Sequence, residues 1–434
     1  MSSIIKQLAS ILPDQIVFGR SFRTAQKILT AFNASNDKMD FVQSYQREKL
    51  NAIFKIASKT PFYHYLGVSS DNIAELPFID KETVLASSNE ILITKAGADY
   101  VATGGTSGKP LGFFINKSRK GFEWFWITNN WSKVGFTLSD YRAVLRNHKL
   151  QGKKVAVDPL LKEYQFDNFS LTPDYLDFII DHINSRRIKY LHAYPSAAYI
   201  FASHLYKTGK KTTIKNFLCG SENILPYQKK LIQETLNLRM YTWYGHSEKL
   251  ILAGENTNCG NYHSNPFYGY TELIDENDKP VNIPGLTGEL TGTGFINTKM
   301  PFIRYRTGDY AEFAGIVCPQ CGHIGVTFKN IKGRWHGDRI YKSDDSIITT
   351  TALNLHNDIY NYIQNVQYYQ TEKGKLTVRV VPEKTFTPEV KGKLFNELMV
   401  KVGNGLAIDI IEVDKVEFSV NNKFQLLIQK IKEV

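Results

Sequence analysis

The feature that most constrains this chain is a short glycine-rich segment, residues 103–110, between two apolar, strand-like stretches. Its glycines allow successive backbone N–H groups to face one concave surface, and such a surface binds anions. Hydroxyl and ammonium side chains add further donors. The pattern predicts a flexible phosphate-binding loop between two strands, built from Thr103, Gly104, Gly105, Thr106, Ser107, Gly108 and Lys109.

Two other loop motifs do not fit this segment. A Walker loop needs a glycine five positions before Gly108 and a Ser or Thr after the lysine, but Thr103 and Pro110 occupy those places. The G-x-S-x-G spacing of a nucleophile elbow is also missing from residues 104–108. A glycine-rich hairpin without a ligand is the alternative that the segment alone leaves open.

Three further motifs follow in a fixed order: Y-G-H-S-E at 244–248, Y-R-T-G-D at 305–309, and Gly333-Arg334. Their order and spacing resemble the adenylate-forming superfamily, and within it the branch of phenylacetate–CoA ligase-like and CapK-like proteins. The resemblance covers residues 40–340 well and residues 341–434 weakly. It implies an ATP-dependent ligase that activates a carboxylic acid as an acyl-adenylate.

The resemblance also implies the fold. We expect an α/β protein whose large, multi-layer N-terminal domain binds ATP and the acid and includes a small β-barrel-like part. A small, mobile α+β lid domain would follow at the C-terminus. The expected domains are residues 1–335 and 341–434, with a hinge near 334–340.

Composition bounds the partners. The chain has 434 residues, 42% of them hydrophobic, which suffices for more than one domain. Its net charge of +11 allows a polyanionic partner, but the basic residues are scattered in doublets, so a solvated surface is favoured and no specific nucleic acid is expected. No apolar run has membrane-spanning length, and charged residues interrupt the N-terminus, so we expect a cytoplasmic protein. The sequence is compatible with a monomer or a homodimer.

Apolar spacing predicts alternating helices and strands. Amphipathic helices are expected before residue 60, an aromatic-rich helix near 122–131, and a helix capped by Thr172. This aromatic helix forms either core or a wall of the acid pocket. The alternation is typical of a largely parallel sheet with ligands at the strand ends. His192, near one strand end, either touches substrate or is a core histidine.

Several residues are expected to hold the nucleotide. Tyr244 offers a flat face for a purine, Gly245 allows close backbone approach, and Glu248 offers an oxygen ligand for Mg²⁺ or else caps a helix. Asp309 could accept hydrogen bonds from two vicinal ribose hydroxyls. By resemblance, Gly220, Ser221 and Glu222 lie beside the adenine, and Arg334 approaches the ribose or the phosphates.

The four cysteines do not form a disulfide framework, but three of them fit a metal site. A C-x3-H pair, Cys259 and His263, combines with a C-x2-C pair, Cys318 and Cys321. These spacings fit a closed, structural Zn²⁺ site. His323 is the rival to His263, and two empty turns are the alternative.

The tail resembles the superfamily's T-x-x-G-K element near its end, with Asn422 where glycine is usual, which makes Lys423 the candidate catalytic lysine. Glu248 and Thr106 complete the expected catalytic group. Residues 347–353 depart from the segment typical of CoA ligases, so the acceptor is CoA or another thiol or an amine. The alternatives are an adenylyltransferase that leaves AMP on its product, and a non-catalytic, zinc-containing polyanion-binding or scaffold protein.

Overall fold

The computed structural model of the chain describes residues 12–67, 73–103, 111–150, 152–222, 224, 226–256, 258–332, 339–350, 352–353, 355, 359, 362–417 and 426–431. Within these ranges the α-helices are α1 Asp14–Val17, α2 Gly19–Ala34, α3 Lys38–Ala57, α4 Pro61–Tyr65, α5 Lys81–Ala86, α6 Ser88–Ile91, α7 Arg119–Trp131, α8 Pro173–Ser185, α9 Pro195–Thr208, α10 Pro226–Lys229 and α11 Pro388–Val402. A π-helix, Lys230–Thr235, continues α10.

The strands of the described residues alternate with these helices and continue into the tail. They are β1 Ala98–Ala102, β2 Gly112–Asn116, β3 Arg142–Leu145, β4 Ala156–Asp158, β5 Glu163–Gln165, β6 Tyr190–Ala193, β7 Asn216–Cys219, β8 Arg239–Gly245, β9 Leu252–Glu255, β10 Tyr262–Ser264, β11 Gly269–Ile274, β12 Thr287–Gly294, β13 Tyr305–Val317, β14 Ile324–Lys332, β15 Arg339–Tyr341, β16 Ile347–Thr349, β17 Ile363–Gln370, β18 Lys375–Pro382, β19 Ala407–Glu412 and β20 Leu427–Gln429.

Three helices begin with the same Thr-Pro pair, which explains their start points. The hydroxyls of Thr60, Thr172 and Thr387 each accept a hydrogen bond from the backbone N–H three residues later. The following proline occupies the first helical position, where its missing N–H costs nothing. The predicted cap at Thr172 is therefore confirmed, and two further helices use the same device.

The chain divides into two compact units, and the division does not follow the predicted domains. Unit 1 comprises residues 1–101, 113–138 and 241–334; unit 2 comprises residues 102–112, 139–240 and 335–434. The predicted boundary near 335–341 resembles the end of unit 1, but the tail groups with residues 139–240. The two-domain division at 335–341 remains a prediction.

Unit 1 contains an antiparallel sheet in the order β11-β12-β13-β14-β10-β9-β8. The helices α2, α3 and α7 supply its aromatic core, in which Trp126 stacks on Phe267 with ring centroids 5.6 Å apart. Trp126 and Trp131 are both buried, as the core interpretation of the aromatic helix predicts. Helices α2 and α7 approach so closely that a Cβ at Gly121 would lie 2.3 Å from the Phe18 carbonyl oxygen.

The described residues of unit 2 contain two larger sheets and a two-stranded antiparallel sheet of β15 and β16. In the first, β5, β3, β6 and β7 are parallel, and β4 joins the edge antiparallel to β5. In the second, in the tail, the order is β19-β18-β17-β20. The expected parallel strands are those of the first sheet, whereas residues 241–332 form antiparallel strands, as an expected β-barrel-like part requires. The α/β class itself is confirmed.

Candidate functional site

The glycine-rich loop joins two paired strands, as predicted. Strands β1 and β2 form a two-stranded sheet that brackets the loop. At its base, the Thr103 N–H donates to the Leu111 carbonyl at 2.9 Å, and the Leu111 N–H donates to the Thr103 hydroxyl at 3.0 Å. Thr103 therefore closes the base of the loop. Its hydroxyl group, which accepts from Leu111, could donate its proton to a ligand. Gly104, Gly105, Thr106, Ser107, Gly108 and Lys109 lie outside the described residues.

Tyr244 and Asp309 come together within unit 1. Tyr244 lies near the end of β8 and Asp309 lies in β13, and the tyrosine hydroxyl donates to Asp309 Oδ2 at 2.8 Å. Burial and the nearby Asp309 carboxylate raise the pKa of Tyr244 well above its ordinary value, so the hydroxyl keeps its proton. Gly308, with a φ of +73°, lies at an irregularity in the pairing of β12 with β13 directly before Asp309, and its N–H donates to Glu289 at 2.8 Å.

Glu248 is a buried carboxylate whose two oxygens both accept hydrogen bonds. Tyr305 donates its hydroxyl to Oε1 at 3.0 Å. His246 Nδ1 lies 3.0 Å from Oε2, and the Ile251 N–H donates to His246 Nε2 at 3.2 Å. Because Nε2 is the acceptor, Nδ1 carries the ring proton and donates it to Glu248.

This arrangement keeps Glu248 ionised. Its side chain is only 7% exposed, and burial alone would raise the pKa of its carboxyl group. The hydrogen bonds from His246 and Tyr305, with electrostatic attraction to His246, outweigh that effect and lower the pKa to about 2. A buried carboxylate that stays charged is a suitable oxygen ligand for a hard cation.

Gly245 precedes this carboxylate and is exposed. A Cβ added there would meet protein atoms only at ordinary contact distances of 3.7 Å. The packing of the protein therefore does not itself require glycine, whereas a ligand that approached the backbone closely would.

Unit 2 gathers polar side chains at the carboxyl ends of its parallel strands. Gly220, Ser221 and Glu222 directly follow β7. The Glu222 carboxylate accepts from the Ser196 N–H at 3.0 Å, the Ser196 hydroxyl at 3.2 Å and the Thr349 hydroxyl at 2.9 Å. Burial nevertheless raises the pKa of Glu222 above its ordinary value. Thr349 belongs to the tail, so these bonds also hold residues 339–350 against the strand ends.

Arg146, which follows β3, belongs to the same cluster, and sequence analysis missed it. Its guanidinium lies 2.7 Å from His192 Nε2, donates to the Ser221 hydroxyl at 2.8 Å, and stacks over the Tyr194 ring at 4.8 Å. Because arginine only donates, His192 Nε2 accepts this bond. Burial and the adjacent Arg146 charge hold the pKa of His192 well below its ordinary value, so the ring is neutral. The arginine belongs to no sequence motif, and only the parallel strand order brings it to this edge.

Cys259, His263, Cys318 and Cys321 form one cluster in unit 1, with ligand atoms within 4.8 Å of one another. His263 Nε2 lies 3.4 Å from the Cys259 sulfur and 3.6 Å from the Cys321 sulfur. Tetrahedral Zn²⁺ with ordinary Zn–S and Zn–N bonds places such atoms about 3.6 Å apart. Burial, with the nearby His323 and Lys133, lowers the pKa of His263 to about 3, so its ring is neutral, as a ligand requires.

His323 fits the cluster less well. Its ring stacks on His263 with centroids 4.4 Å apart, and its Nε2 lies 2.9 Å from the Ser264 carbonyl oxygen. A carbonyl oxygen can only accept, so Nε2 carries the ring proton. The group of ligand atoms that lie within 4.8 Å of one another contains His263 and not His323. The geometry favours His263 over His323.

A cleft of about 510 Å³ on unit 1 is lined by Phe78, Asp80, Asp278, Arg304 and Arg306, not by Asp309 or Glu248. Its two arginines are already paired, Arg306 with Asp278 at 2.5 Å and Arg304 with Glu272 at 2.9 Å. These pairs indicate a structural role. Arg334 and Lys423 lie outside the described residues, and within the described ranges no helix is both long and apolar enough to cross a bilayer.

Comparison with known proteins places this geometry in context. No family model matches the chain. Protein CapK of Staphylococcus aureus is 21% identical over 375 residues, covering 83% of this chain and 81% of that protein. A 2-hydroxyisobutyryl-CoA ligase with 2-HIB-AMP and CoA, in the thioesterification state, has a similar structure with a TM-score of 0.56, 15% identity and coverage of 91% and 90% of the two chains. An open conformation of that ligase has a TM-score of 0.53, 16% identity and coverage of 90% and 91%.

Proposed function

We propose that this chain, which has the fold of the adenylate-forming ligases, uses ATP to convert a carboxylic acid into an acyl-adenylate. The acyl group then passes to CoA, another thiol or an amine. One observation carries the proposal: two motifs about 60 residues apart in sequence meet at Tyr244 and Asp309, with the ionised Glu248 beside them. These groups suit a nucleotide, because one carboxylate can accept hydrogen bonds from the ribose hydroxyls and another can bind the cation that accompanies the phosphates.

In the proposed first step, an oxygen of the acid attacks the α-phosphorus of ATP. A new P–O bond forms, the bond to the β-phosphate bridge breaks, and pyrophosphate leaves. Such chemistry depends mostly on positioning and charge neutralisation. Asp309, which accepts from the Tyr244 hydroxyl, would also accept from the ribose hydroxyls. Glu248 would hold Mg²⁺ through its charged carboxylate, and the ion would offset phosphate charge.

The remaining roles fall on residues beyond the described part of the chain. The loop residues Gly104 to Lys109 would hold the β- and γ-phosphates, with Thr106 at the reacting end. Arg334 would contact the ribose or phosphates. Lys423, on the proposed mobile lid at residues 341–434, would neutralise charge at the reacting oxygens. Lys423→Ala should lower adenylate formation about 10²–10³-fold, the cost of one well-placed charge stabiliser, with a much smaller change in ATP affinity.

The sulfur-rich cluster supports a second part of the proposal, a structural Zn²⁺ held by Cys259, His263, Cys318 and Cys321. Four protein ligands close the coordination shell, so the ion would brace the turn after β13 against β10 and leave no position for substrate. Purified protein should contain one zinc per chain by plasma mass spectrometry. Cys318→Ser should lose that zinc and thermal stability together, and zinc content unchanged from wild type would contradict this assignment.

The likeness to CapK supports a role in surface-polysaccharide synthesis, with an acid or an amine that is attached to a sugar as a reactant. We place this reaction in the cytoplasm. Pyrophosphate exchange tests the function: aryl, acyl, amino and sugar acids are screened for acid-dependent incorporation of labelled pyrophosphate into ATP, each with and without CoA. Exchange with one acid class supports a ligase. AMP retained on the final product would indicate an adenylyltransferase. Salt-sensitive polyanion binding without any exchange would indicate a scaffold protein.

A further inference from the structure

Unit 2 carries a positive charge whose role no sequence motif explains. Arg146 follows β3, His192 lies in the neighbouring β6, and Ser221 follows β7, the next strand along. Parallel strands place their carboxyl ends at one edge of the sheet, and that edge is where α/β proteins bind ligands. Arg146 therefore lies at a ligand-binding edge.

The guanidinium is fixed in orientation but not neutralised. His192 and Ser221 accept two of its hydrogen bonds, and Tyr194 covers one of its faces. These partners are all neutral. A guanidinium has five N–H groups, and among the described residues its acceptors are His192, Ser221 and the Tyr194 hydroxyl.

Arg142, four residues earlier, provides a contrast within the same unit. It is 1% exposed and pairs directly with the Glu163 carboxylate. Arg146 is less buried and forms no direct ion pair among the described residues. The nearby Glu222 carboxylate, which the Arg146 charge attracts, is hydrogen-bonded by Ser196 and Thr349 instead. The Arg146 guanidinium is positioned by neutral hydrogen-bond acceptors and has more N–H groups than these acceptors use. It can therefore bind an anion.

We propose that Arg146 binds a second negatively charged group, a carboxylate or a phosphate, on the acid that the enzyme activates. The substrate is then a dicarboxylic or a phosphorylated acid, an assignment that rests on the proposed ligase function. The attacking carboxylate is a poor occupant, because an ion pair with a guanidinium would stabilise the ground state that the reaction must leave. A planar fork of donors suits the more distant oxyanion, whose charge does not change during the reaction.

Pyrophosphate exchange with matched acids tests the assignment. The pairs are straight-chain mono- and dicarboxylic acids of equal length, and hydroxy acids with and without a phosphate. The readout is the ratio of kcat/KM for the dianionic acid to that for its monoanionic partner, measured within one protein preparation. This ratio does not depend on the folded fraction, so a destabilised variant still reports on recognition.

Wild-type protein should prefer the dianionic member of at least one pair. Arg146→Met should lower that preference about 10–100-fold, the effect of losing hydrogen bonds to a charged group. Arg146→Lys should retain part of it, because it keeps the charge and loses the fork. Arg186→Met is the matched control, since Arg186 also covers a tyrosine ring, that of Tyr164, but is exposed on α8's C-terminal side.

Three results would overturn the assignment. Equal use of both members of every pair by wild-type protein would remove the second anion. An equal loss for both members in Arg146→Met would place Arg146 on the attacking carboxylate or the nucleotide. An absence of exchange with every acid would reject the ligase function itself, and the assignment with it.

Discussion

Two hydrogen-bonded carboxylates, the buried Glu248 of unit 1 and the half-buried Glu222 of unit 2, have pKa values shifted in opposite directions. Glu248 accepts from Tyr305 and His246, and its pKa falls to about 2. Glu222 accepts from Ser196 and Thr349, yet its pKa rises. At Glu222 a backbone N–H, two hydroxyls and the positive charge of Arg146 do not offset burial. At Glu248 the hydrogen bond from His246 and the electrostatic attraction to it, with the Tyr305 hydroxyl, do offset burial. Glu248 therefore remains an anion, whereas Glu222 is protonated more readily.

The largest difference between the two should appear in catalysis. Glu248→Gln removes the charge that we assign to Mg²⁺ and should lower adenylate formation about 10²–10³-fold. Glu222→Gln keeps a hydrogen-bonding group of the same size and should lower it less than about tenfold. Pyrophosphate exchange across a range of Mg²⁺ concentrations measures both. Equal losses of exchange activity in the two variants would contradict the different roles of Glu248 and Glu222. A Glu248→Gln variant with an unchanged Mg²⁺ requirement would contradict them as well.

A smaller effect should appear in the stability of Glu248→Gln without added Mg²⁺. The pKa of the Glu248 carboxyl group is about 2 in the folded chain, below its ordinary value of 4.5. Ionised Glu248 therefore stabilises the folded state at pH values above 4.5. The contribution, on the order of 3 kcal/mol, should disappear as the pH falls from 4.5 to about 2.

Urea unfolding of the wild type and the variant at several pH values measures this contribution. Glu248→Gln should be less stable at neutral pH, and the gap should close in acid. A gap that is constant with pH would mean that the charge of Glu248 does not matter to folding.

The smallest effect is expected at Glu222, with the opposite sign. The pKa of Glu222 is higher in the folded chain than its ordinary value of 4.5. The protonated carboxyl group therefore stabilises the folded state fully below pH 4.5, and this stabilisation is lost as the pH rises through the pKa of the folded chain. Glu222→Gln cannot ionise, and so it should be at least as stable as wild type near pH 8 and lose that advantage near pH 4. A loss of stability that grows with pH would show that Glu222 is needed as an anion.

Local sequence patterns predicted much of this molecule. Thr172 with Pro173 marked a helix start, a signal carried by residues adjacent in sequence. The Cys and His spacings marked two short pairs, and the fold brings these pairs together across 58 residues. Asp309 and Tyr244 could be paired only through the resemblance, since their contact spans 65 residues.

Other features depend on strand order, which no local pattern encodes. Arg146 meets His192 across 46 residues, and Glu222 meets Thr349 across 127. The protonated nitrogen of His246 follows from a backbone bond to Ile251 that only the folded turn creates. These contacts link strand ends to later segments, and they set the charge of the site.

The central claim is that a carboxylate oxygen of the substrate attacks the α-phosphorus of ATP. It can be tested with the acid identified by exchange, labelled with ¹⁸O in both carboxylate oxygens, followed through one complete turnover to an acceptor. Mass spectrometry of the released AMP should find one ¹⁸O atom in its phosphate, because the attacking oxygen stays with phosphorus when the acyl group departs. Released AMP without label would contradict the account.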